Sequence, residues 1–304
     1  MGVTPRSLVV VLTVLAALSV PSPAAAQDPP LVNWPSLLPS VDSTYQPSSA
    51  DDCRAGRPRC IDAIIREMDK RLDPLATSCD HDAIFGLSYL RTTQAFQQAL
   101  AESGFFKYPR SITHEGAVFA SVYMDAYDKW HSKNRAATPP AWAIAFDAAA
   151  NRRVSAAGNL LLGMNAHIQR DRPFVLAAVG LVEPDGTSRK NDNDEVNVFL
   201  NRVGVPLTKE IAARFDPSFD DTNVQPTTLD EMLTFEPVVL WREIAWRNAE
   251  RLVAAQTDAQ RAAVAADIER YAASQALLIR SLSAYVAPVQ TSAPRDAFCA
   301  VHHG

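Results

Sequence analysis

Glycine is scarce in this sequence, and runs of alternating apolar and polar residues are missing. Only 11 of the 304 residues are glycine, and alternation is the pattern that predicts a half-buried β-strand. Apolar residues recur instead at the three- and four-residue spacing of helices. We therefore predict an all-α protein, a multi-helix bundle with one core and a buried central helix. Helices are expected near residues 58–73, 80–103, 112–131, 140–151, 154–171, 173–182, 191–203, 207–215, 229–255 and 258–286.

The sequence also lacks the short motifs that mark several common enzyme classes. It contains no Gly-x-Ser-x-Gly elbow, no His-Glu-x-x-His pair, no phosphate-binding loop and no dinucleotide-binding fingerprint. These absences argue against an α/β-hydrolase, a zincin protease and an ATP- or NAD-dependent enzyme. The net charge of −5 provides no electrostatic attraction for nucleic acid or for an anionic membrane, so neither is expected as a partner.

The first 26 residues have the three parts of an export signal. Arg6 is their only charged side chain, an apolar run extends from Leu8 to Val20, and the small residues 24–26 suit a signal peptidase. The alternative is an uncleaved membrane anchor, but about thirteen apolar residues are short for a span that needs about 20. We expect cleavage before Gln27, which leaves a secreted or extracytoplasmic protein of net charge −6 because Arg6 is lost. No later run is long and apolar enough to predict a membrane span.

The sequence contains four cysteines, Cys53, Cys60, Cys79 and Cys299. In an oxidising compartment they are expected to form disulfides, and four cysteines allow three pairings. We favour Cys53–Cys60 as a short local loop and Cys79–Cys299 as a link between the C-terminal tail and the rest of the chain. A zinc site is the weaker alternative, because the spacings lack the close cysteine pairs of such sites.

The composition divides the rest of the chain into three regions. Residues 27–56 are predicted to be an extended, Pro/Ser-rich leader, residues 57–287 the helical domain, and residues 288–304 a C-terminal tail that resembles the leader apart from its cysteine. The longest interior break, residues 217–228, is polar and contains proline. It is expected to be either a lid or a plain connection.

The helix expected at residues 154–171 is unusual because it is apolar nearly all round. A helix without a polar face is buried on every side, so Asn165 and His167 need hydrogen-bond partners inside the protein. They are two positions apart and are expected to point to roughly opposite faces. Gly158 and Gly163 leave room for another helix, or a ligand, to approach the backbone closely.

His167 and Asp171 are four residues apart and therefore share a helix face. Three interpretations fit the pair: a structural histidine oriented by an aspartate, a general-base pair in which Asp171 fixes the tautomer of His167, and two ligands of a divalent metal such as zinc. A metal would need further ligands, and no spacing in the sequence identifies them. The available candidates are His81, His114, Asp80, Asp82 and Asp125.

The segment Gly163-Met164-Asn165-Ala166-His167-Ile168, followed by Asp171 and Pro173, resembles the hallmark of a bacterial helical family catalogued as domain of unknown function 5995. The family motif reads Gly-Met-Asn-Ala-His-Ile-Asn-x-Asp-Leu-Pro, and this chain departs from it at Gln169 and Arg172. The resemblance covers roughly residues 60–286. Because the family has no assigned activity, the resemblance implies a fold and a motif location but no reaction. Three further segments resemble other patterns of the family: Val118-Phe119-Ala120 with Tyr123 and Ala126, Asp192 with Val196-Asn197 and Leu200, and Arg242-Glu243 with Ala245-Trp246 and Ala249.

Two later helices carry further candidate binding residues. Asn197 has apolar neighbours on its helix, so it is expected to be either a buried amide that ties helices together or a ligand contact. Arg242 and Trp246 are four residues apart on the long late helix. Such a pair can hold a ligand by cation–π stacking or can simply pack together.

Two functions of different classes fit these residues. The one we favour is a non-catalytic helical module that binds a small ligand or a cell-envelope partner through Asn165, Asn197, Arg242 and Trp246. The alternative is a hydrolase that uses His167 and Asp171 as a general-base pair or as zinc ligands. The alternative rests on an analogy with secreted zinc-dependent phospholipases C, which use more histidine ligands than this chain provides.

Overall fold

The structure, a computed structural model, describes residues 45–220 and 229–303, with side chains in all of them except 229–235. α-Helices fill most of this part of the chain, and its β pairing is limited to isolated bridges between Val154 and Ala284 and between Val182 and Ser188. The prediction of an all-α bundle is confirmed. The helices are α1 (Pro58–Thr77), α2 (Ala83–Ala101), α3 (Pro109–Trp130), α4 (Pro140–Ala150), α5 (Ala156–Met164), α6 (Arg172–Val179), α7 (Lys190–Arg214), α8 (Leu229–Ala254), α9 (Asp258–Leu282) and α10 (Ala293–His302), with a π-helix at Asn165–Asp171 between α5 and α6.

Local sequence chemistry explains where several helices begin. Pro58, Pro109 and Pro140 occupy the first turns of α1, α3 and α4, where a missing N–H costs no helical hydrogen bond. Thr257 and Gln260 form a reciprocal capping box at the start of α9, in which each side chain accepts a bond from the other's backbone amide. These signals are local, which is why the starts of α4 and α9 were predictable.

The main core lies between α1, α2, α3, α4, the segment formed by α5 and the π-helix, and α9. Leu87 of α2, Trp142 of α4 and Leu162 of α5 are completely buried in it. Helix α2 packs against α1, α5 and α7 and so occupies a central position. Helix α5 is largely buried, as expected. Its position among these helices determines which neighbours each of its side chains contacts.

Both predicted cysteine pairs lie at disulfide distance, which confirms the favoured pairing. The S–S distance is 1.99 Å for Cys53–Cys60 and 2.07 Å for Cys79–Cys299. The second bridge ties α10 to the segment before α2. A hydrogen bond of 2.8 Å between His81 Nε2 and Asp296 Oδ1 supports the same junction.

Two expectations about helix boundaries are wrong. Helix α7 continues without a break through Pro206, where the sequence predicted two helices. Proline removes the N–H that would bond to the carbonyl four residues earlier, here that of Arg202, and because Arg202 is exposed, water can satisfy that carbonyl. The C-terminal tail also contains a helix, α10, because the Cys79–Cys299 bridge and the burial of Arg295 hold it against the bundle.

Some expectations fall on residues that the structure does not describe. The export signal at residues 1–26, most of the leader and residues 221–228 of the interior break lie outside the described part of the chain. Within that part, none of the helices combines the length and the apolar character needed to cross a membrane.

Candidate functional site

The motif segment Asn165–Asp171 is a π-helix, although the sequence predicted one continuous α-helix. The amide of Arg172 donates to the carbonyl of His167, five residues earlier. Such wider turns inside α-helices occur often at functional sites. Just before it, a Cβ on Gly163 would overlap the ring of Phe85. The close approach expected at this glycine is therefore confirmed.

Asp171 is completely buried and accepts three hydrogen bonds. His167 Nδ1 lies 3.1 Å from Oδ2, Trp142 Nε1 donates to the same oxygen over 2.8 Å, and Arg170 donates to Oδ1 over 2.9 Å. Burial by itself would raise the pKa of Asp171, but the hydrogen bond from His167 and the charge of Arg170 lower it overall. The carboxylate is therefore ionised, and it fixes the Nδ1–H tautomer of His167.

His167 is neutral at neutral pH and has a free lone pair on Nε2. Burial lowers the pKa of His167, although the hydrogen bond to Asp171 opposes this effect. Nε2 is buried and has no hydrogen-bond partner among the described residues. The ring is stacked on Phe119 with centroids 3.6 Å apart, and Tyr89 meets it edge-on at 4.5 Å. These aromatic rings hold the imidazole in the wall of an interior cavity.

The interior cavity has a volume of about 390 Å³. It lies between α2, α3, α5 with the following π-helix, α7 and α8. The exposed residues Gly204 and Lys209 line one part of it, so the cavity reaches the surface along α7. Its wall is mostly apolar and includes Phe96, Phe119, Met164, Leu200 and Val238.

The buried end of the interior cavity is polar. We call the four side chains His167, Glu115, Arg172 and Arg242 the polar end; each lines the cavity and is buried. Arg172 Nη2 donates to Glu115 Oε1 over 2.9 Å and to Asn193 Oδ1 over 2.6 Å. The Nε–H of Arg172 has no hydrogen-bond partner among the described residues. The polar end thus contains one unpaired donor and one unpaired acceptor, both of them buried.

The second arginine of the polar end comes from α8. Arg242 Nη2 donates to the carbonyl of Asn193 over 2.5 Å, and its Nε donates to Asn197 Oδ1 over 2.7 Å. Burial and the nearby charge of Arg172 lower the pKa of Arg242, and Glu115 opposes them. The polar end therefore contains two guanidinium groups and one carboxylate, and the carboxylate is bonded to Arg172 alone among the two.

The side of the motif segment that faces away from the interior cavity is hydrogen-bonded to α9. Asn165 Nδ2 donates to the carbonyl of Ala272 over 2.9 Å, and Asn165 Oδ1 accepts from Gln169 Nε2 over 3.0 Å. Arg170 Nε donates to Glu269 Oε1 over 2.7 Å. Asn165 and His167 thus point to opposite sides, as their spacing predicts, and Asn165 does not line the interior cavity.

Trp246 does not line the interior cavity either. Its ring packs with Leu176 and Ala249, and its Nε1 donates to Glu250 over 2.8 Å. Arg242, one turn earlier, does reach the cavity. The pair therefore forms no common binding surface, because Trp246 packs against α6 whereas Arg242 bonds to α7.

The surroundings of His167 and Asp171 do not fit a metal site. Asp171 already accepts three hydrogen bonds, and no group of three His, Cys, Asp or Glu residues in the described part of the chain could hold an ion. The other candidate ligands belong to separate contacts: His81 with Asp296, His114 with the carbonyl of Cys53, Asp82 with His131, and Asp125 with Lys129.

Sequence reasoning missed Glu115, Arg172 and Asn193 as parts of the site. Glu115 and Arg172 are 57 residues apart, so no local spacing connects them. The sequence contained one indication that Arg172 belongs to the site: it stands where the family motif has leucine. A charged residue next to an apolar helix needs a buried partner.

The fold and the cavity together define an all-α bundle that encloses a largely apolar space with a polar end. The model of a family of unknown function, DUF5995, matches residues 61–282. The chain belongs to this family, which confirms the resemblance found in the sequence. No curated protein and no solved structure matches the chain.

Proposed function

We propose that the protein is an extracytoplasmic helical module that binds a small, largely apolar ligand in the interior cavity. The observation that carries the proposal is the cavity itself, about 390 Å³ in volume with an apolar wall and a few convergent polar groups. Ligand pockets commonly have volumes of about 300–1,000 Å³ and this same mixture of lining groups. An extracytoplasmic location is supported by the two cysteine pairs at disulfide distance.

Binding accounts for more of the site than catalysis does. Two of the cavity-lining hydroxyls, those of Ser88 and Thr93, donate to the carbonyls of Ile84 and Tyr89 in their own helix. These bonds engage the hydroxyl protons that a nucleophile would have to lose to a base. Arg172 and Glu115 form an ion pair of 2.9 Å, which suits a preformed binding wall.

A hydrolase that uses His167 as general base is the second candidate function. The observation that favours it is the buried Asp171–His167 pair, because the imidazole lines the interior cavity and its Nε2 has no hydrogen-bond partner among the described residues. In this arrangement Asp171 fixes the tautomer, and Nε2 can take a proton from water. Turnover of short-chain esters by the wild type, lost in His167→Gln, would favour hydrolysis over binding. Equal rates in both proteins would count against it.

Binding can be tested with a neutral, environment-sensitive dye such as phenylnaphthylamine. The dye should bind to the purified protein saturably, with increased fluorescence. Leu200→Trp places a large ring in the cavity wall and should weaken dye binding by about tenfold or more, which corresponds to about 1.4 kcal/mol. Val198→Trp is the matched control, because Val198 lies on the same helix but is 44% exposed. Equal affinities of the two variants, or no binding by the wild type, would contradict the proposal.

A further inference from the structure

We infer that the ligand is a single-chain amphiphile with an anionic head group, held with its head at the polar end and its chain along the apolar wall. The inference rests on the proposed function and adds the chemical class of the ligand to it. A carboxylate and a phosphate monoester share the required head-group chemistry. Either would bring its charge to Arg172 and Arg242.

The first support is the unused hydrogen-bonding capacity of Arg172. Its guanidinium is buried and donates to Glu115 and Asn193 through Nη2, while the buried Nε–H has no partner among the described residues. A buried donor without a partner is costly, and an anionic oxygen is the strongest acceptor that could satisfy it. The guanidinium also lies 5.4 Å from the Phe119 ring centroid, which limits its movement.

The second support is the charge on the cavity wall. The buried end carries two guanidinium groups, Arg172 and Arg242, and one carboxylate, Glu115. Towards the surface, Lys209 and Asp220 add one charge of each sign. The wall therefore has one positive charge in excess, which an anion would balance. Asp194 also acts on Arg242, but it does not line the cavity and is paired with Lys190. A cationic head group would increase the excess and would have to lose its hydration shell to do so.

The charged residues on the side of His167 away from the cavity do not alter the charge balance at the cavity wall. Arg170 donates to both Asp171 and Glu269, and none of the three lines the interior cavity. Burial raises the pKa of Glu269, although the charge of Arg170 opposes the effect. Asp171 bonds to Nδ1 of His167, on the other side of the ring from the unpaired Nε2.

The third support is the shape of the surroundings. From the polar end, the wall continues along apolar residues of α5 and α7, including Leu160, Met164 and Leu200, towards the exposed part of α7. An aliphatic chain that fills this space would gain about 0.8 kcal/mol for each buried CH₂ group. The head group would then be desolvated at the buried end, where charge-assisted hydrogen bonds are strongest.

The test compares four ligands with the same twelve-carbon chain (about the length of a common detergent tail) by displacement of phenylnaphthylamine from the wild type. They are dodecanoate, dodecyl phosphate, dodecanol and dodecyltrimethylammonium, the charged compounds used below their micellar concentrations and dodecanol below its solubility limit. At least one of the two anions should bind about tenfold or more tightly than the alcohol, and the cation should bind most weakly. The tighter of the two anions identifies the head group as carboxylate or phosphate.

Variants then show which side chains are responsible for the tighter binding of the anion. Arg242→Met should reduce the ratio of dodecanoate to dodecanol affinity by about tenfold, whereas Arg247→Met, an exposed position on the same helix, should not change it. If Arg242→Met fails to fold, the double variant Arg172→Met with Glu115→Met removes a buried ion pair as a unit, a change that proteins often tolerate. It also removes the unpaired Nε–H, so the preference for the anion should fall.

The outcomes separate the two proposals. If dodecanol binds as tightly as both anions, the anionic class is wrong, while ligand binding in the cavity stands. If neither the dye nor any of the four compounds binds, both proposals are wrong. An anion preference that persists unchanged in both cavity variants would place the charge recognition elsewhere and would overturn the inference.

Discussion

The imidazole of His167 lines the interior cavity and bonds to Asp171 through Nδ1, 3.1 Å from Oδ2, and its Nε2 has no partner among the described residues. Trp142 and Arg170 hold the same carboxylate from other directions. One buried aspartate thus sets both the packing of the motif segment and the tautomer of His167, which alone in this cluster of described residues lines the cavity.

Asp171→Ala should destabilise the protein more than His167→Ala does. Removal of the carboxylate leaves His167 Nδ1, Trp142 Nε1 and one N–H of Arg170 without their acceptor, and each unsatisfied buried donor costs about 1–3 kcal/mol. His167→Ala removes one of the three bonds and should cost about 1–3 kcal/mol. The double variant should cost less than the sum, because the two residues share one interaction.

Urea unfolding of the wild type, both single variants and the double variant measures these effects. Strict additivity would show that the pair is not energetically coupled. The dye titration on folded His167→Ala distinguishes the structural from the binding role of the imidazole. Unchanged dye affinity would mean that Nε2 takes no part in holding an apolar ligand.

Gly163→Ala should destabilise the protein by about 1–3 kcal/mol, because a Cβ there would overlap the Phe85 ring in a packed core. Gly204→Ala is the matched control, since it lies inside α7 with nothing within 4 Å of an added Cβ. It should stabilise the protein by about 0.5–1 kcal/mol. Thermal unfolding of the two variants measures the difference. Equal effects would contradict the close packing of α2 against α5.

The two disulfides should contribute unequally to stability. Cys79 and Cys299 are 220 residues apart, whereas Cys53 and Cys60 are 7 apart. In the chain-entropy description, the long loop is worth about 5 kcal/mol and the short loop about 2.5 kcal/mol. Replacing each pair by alanines and measuring unfolding tests the difference. Alkylation of the native wild type should detect no free thiol, and two or more modified cysteines would contradict both bridges.

His81 and Asp82 should have opposite effects on the pH dependence of stability. Burial and the charge of Arg295 lower the pKa of His81 from 6.5 to about 4. The unfolded chain therefore takes up a proton at this residue first, and stability falls as the pH falls from 6.5 to about 4. Burial raises the pKa of Asp82 from 3.8 to about 6. Asp82 therefore stays protonated up to a higher pH in the folded protein than in the unfolded chain. As a result, stability falls as the pH rises from 3.8 to about 6.

Each of these two effects is on the order of 3 kcal/mol, so they nearly cancel in the wild type. Asp82→Asn should reveal the contribution of His81, and stability relative to the wild type should rise between about pH 4 and 6. His81→Asn should produce the opposite slope over the same range. Unfolding free energies measured across that range test the pair. Parallel curves for all three proteins would show that neither residue changes its protonation on unfolding.

Export can be tested on material secreted by the native pathway. Because residues 24–26 are alanines that follow an apolar run, we expect the mature protein to begin at or near Gln27. Intact-mass measurement after secretion identifies the first residue. A secreted or membrane-bound species that retains residues 1–26 would contradict cleavage.

The sequence by itself indicated most of the helices, the favoured disulfide pairing and the position of the buried motif, but it missed α10. Helical periodicity, prolines in first turns and the Thr257 cap are encoded within a few residues, and so are local in the chain. The Cys79–Cys299 pair followed from compartment and from the short separation of the other two cysteines. Continuation of α7 through Pro206 was not predictable, because it depends on solvent access to one carbonyl.

Only the tertiary structure decided which polar residues meet at the polar end. Glu115, His167, Arg172 and Arg242 come from three regions of the chain that are distant in sequence, and no periodicity relates residues on different helices. The same packing separated Trp246 from Arg242 and turned Asn165 towards α9. A binding site between helices depends on how the helices pack, and packing is a property of the whole core rather than of any local pattern.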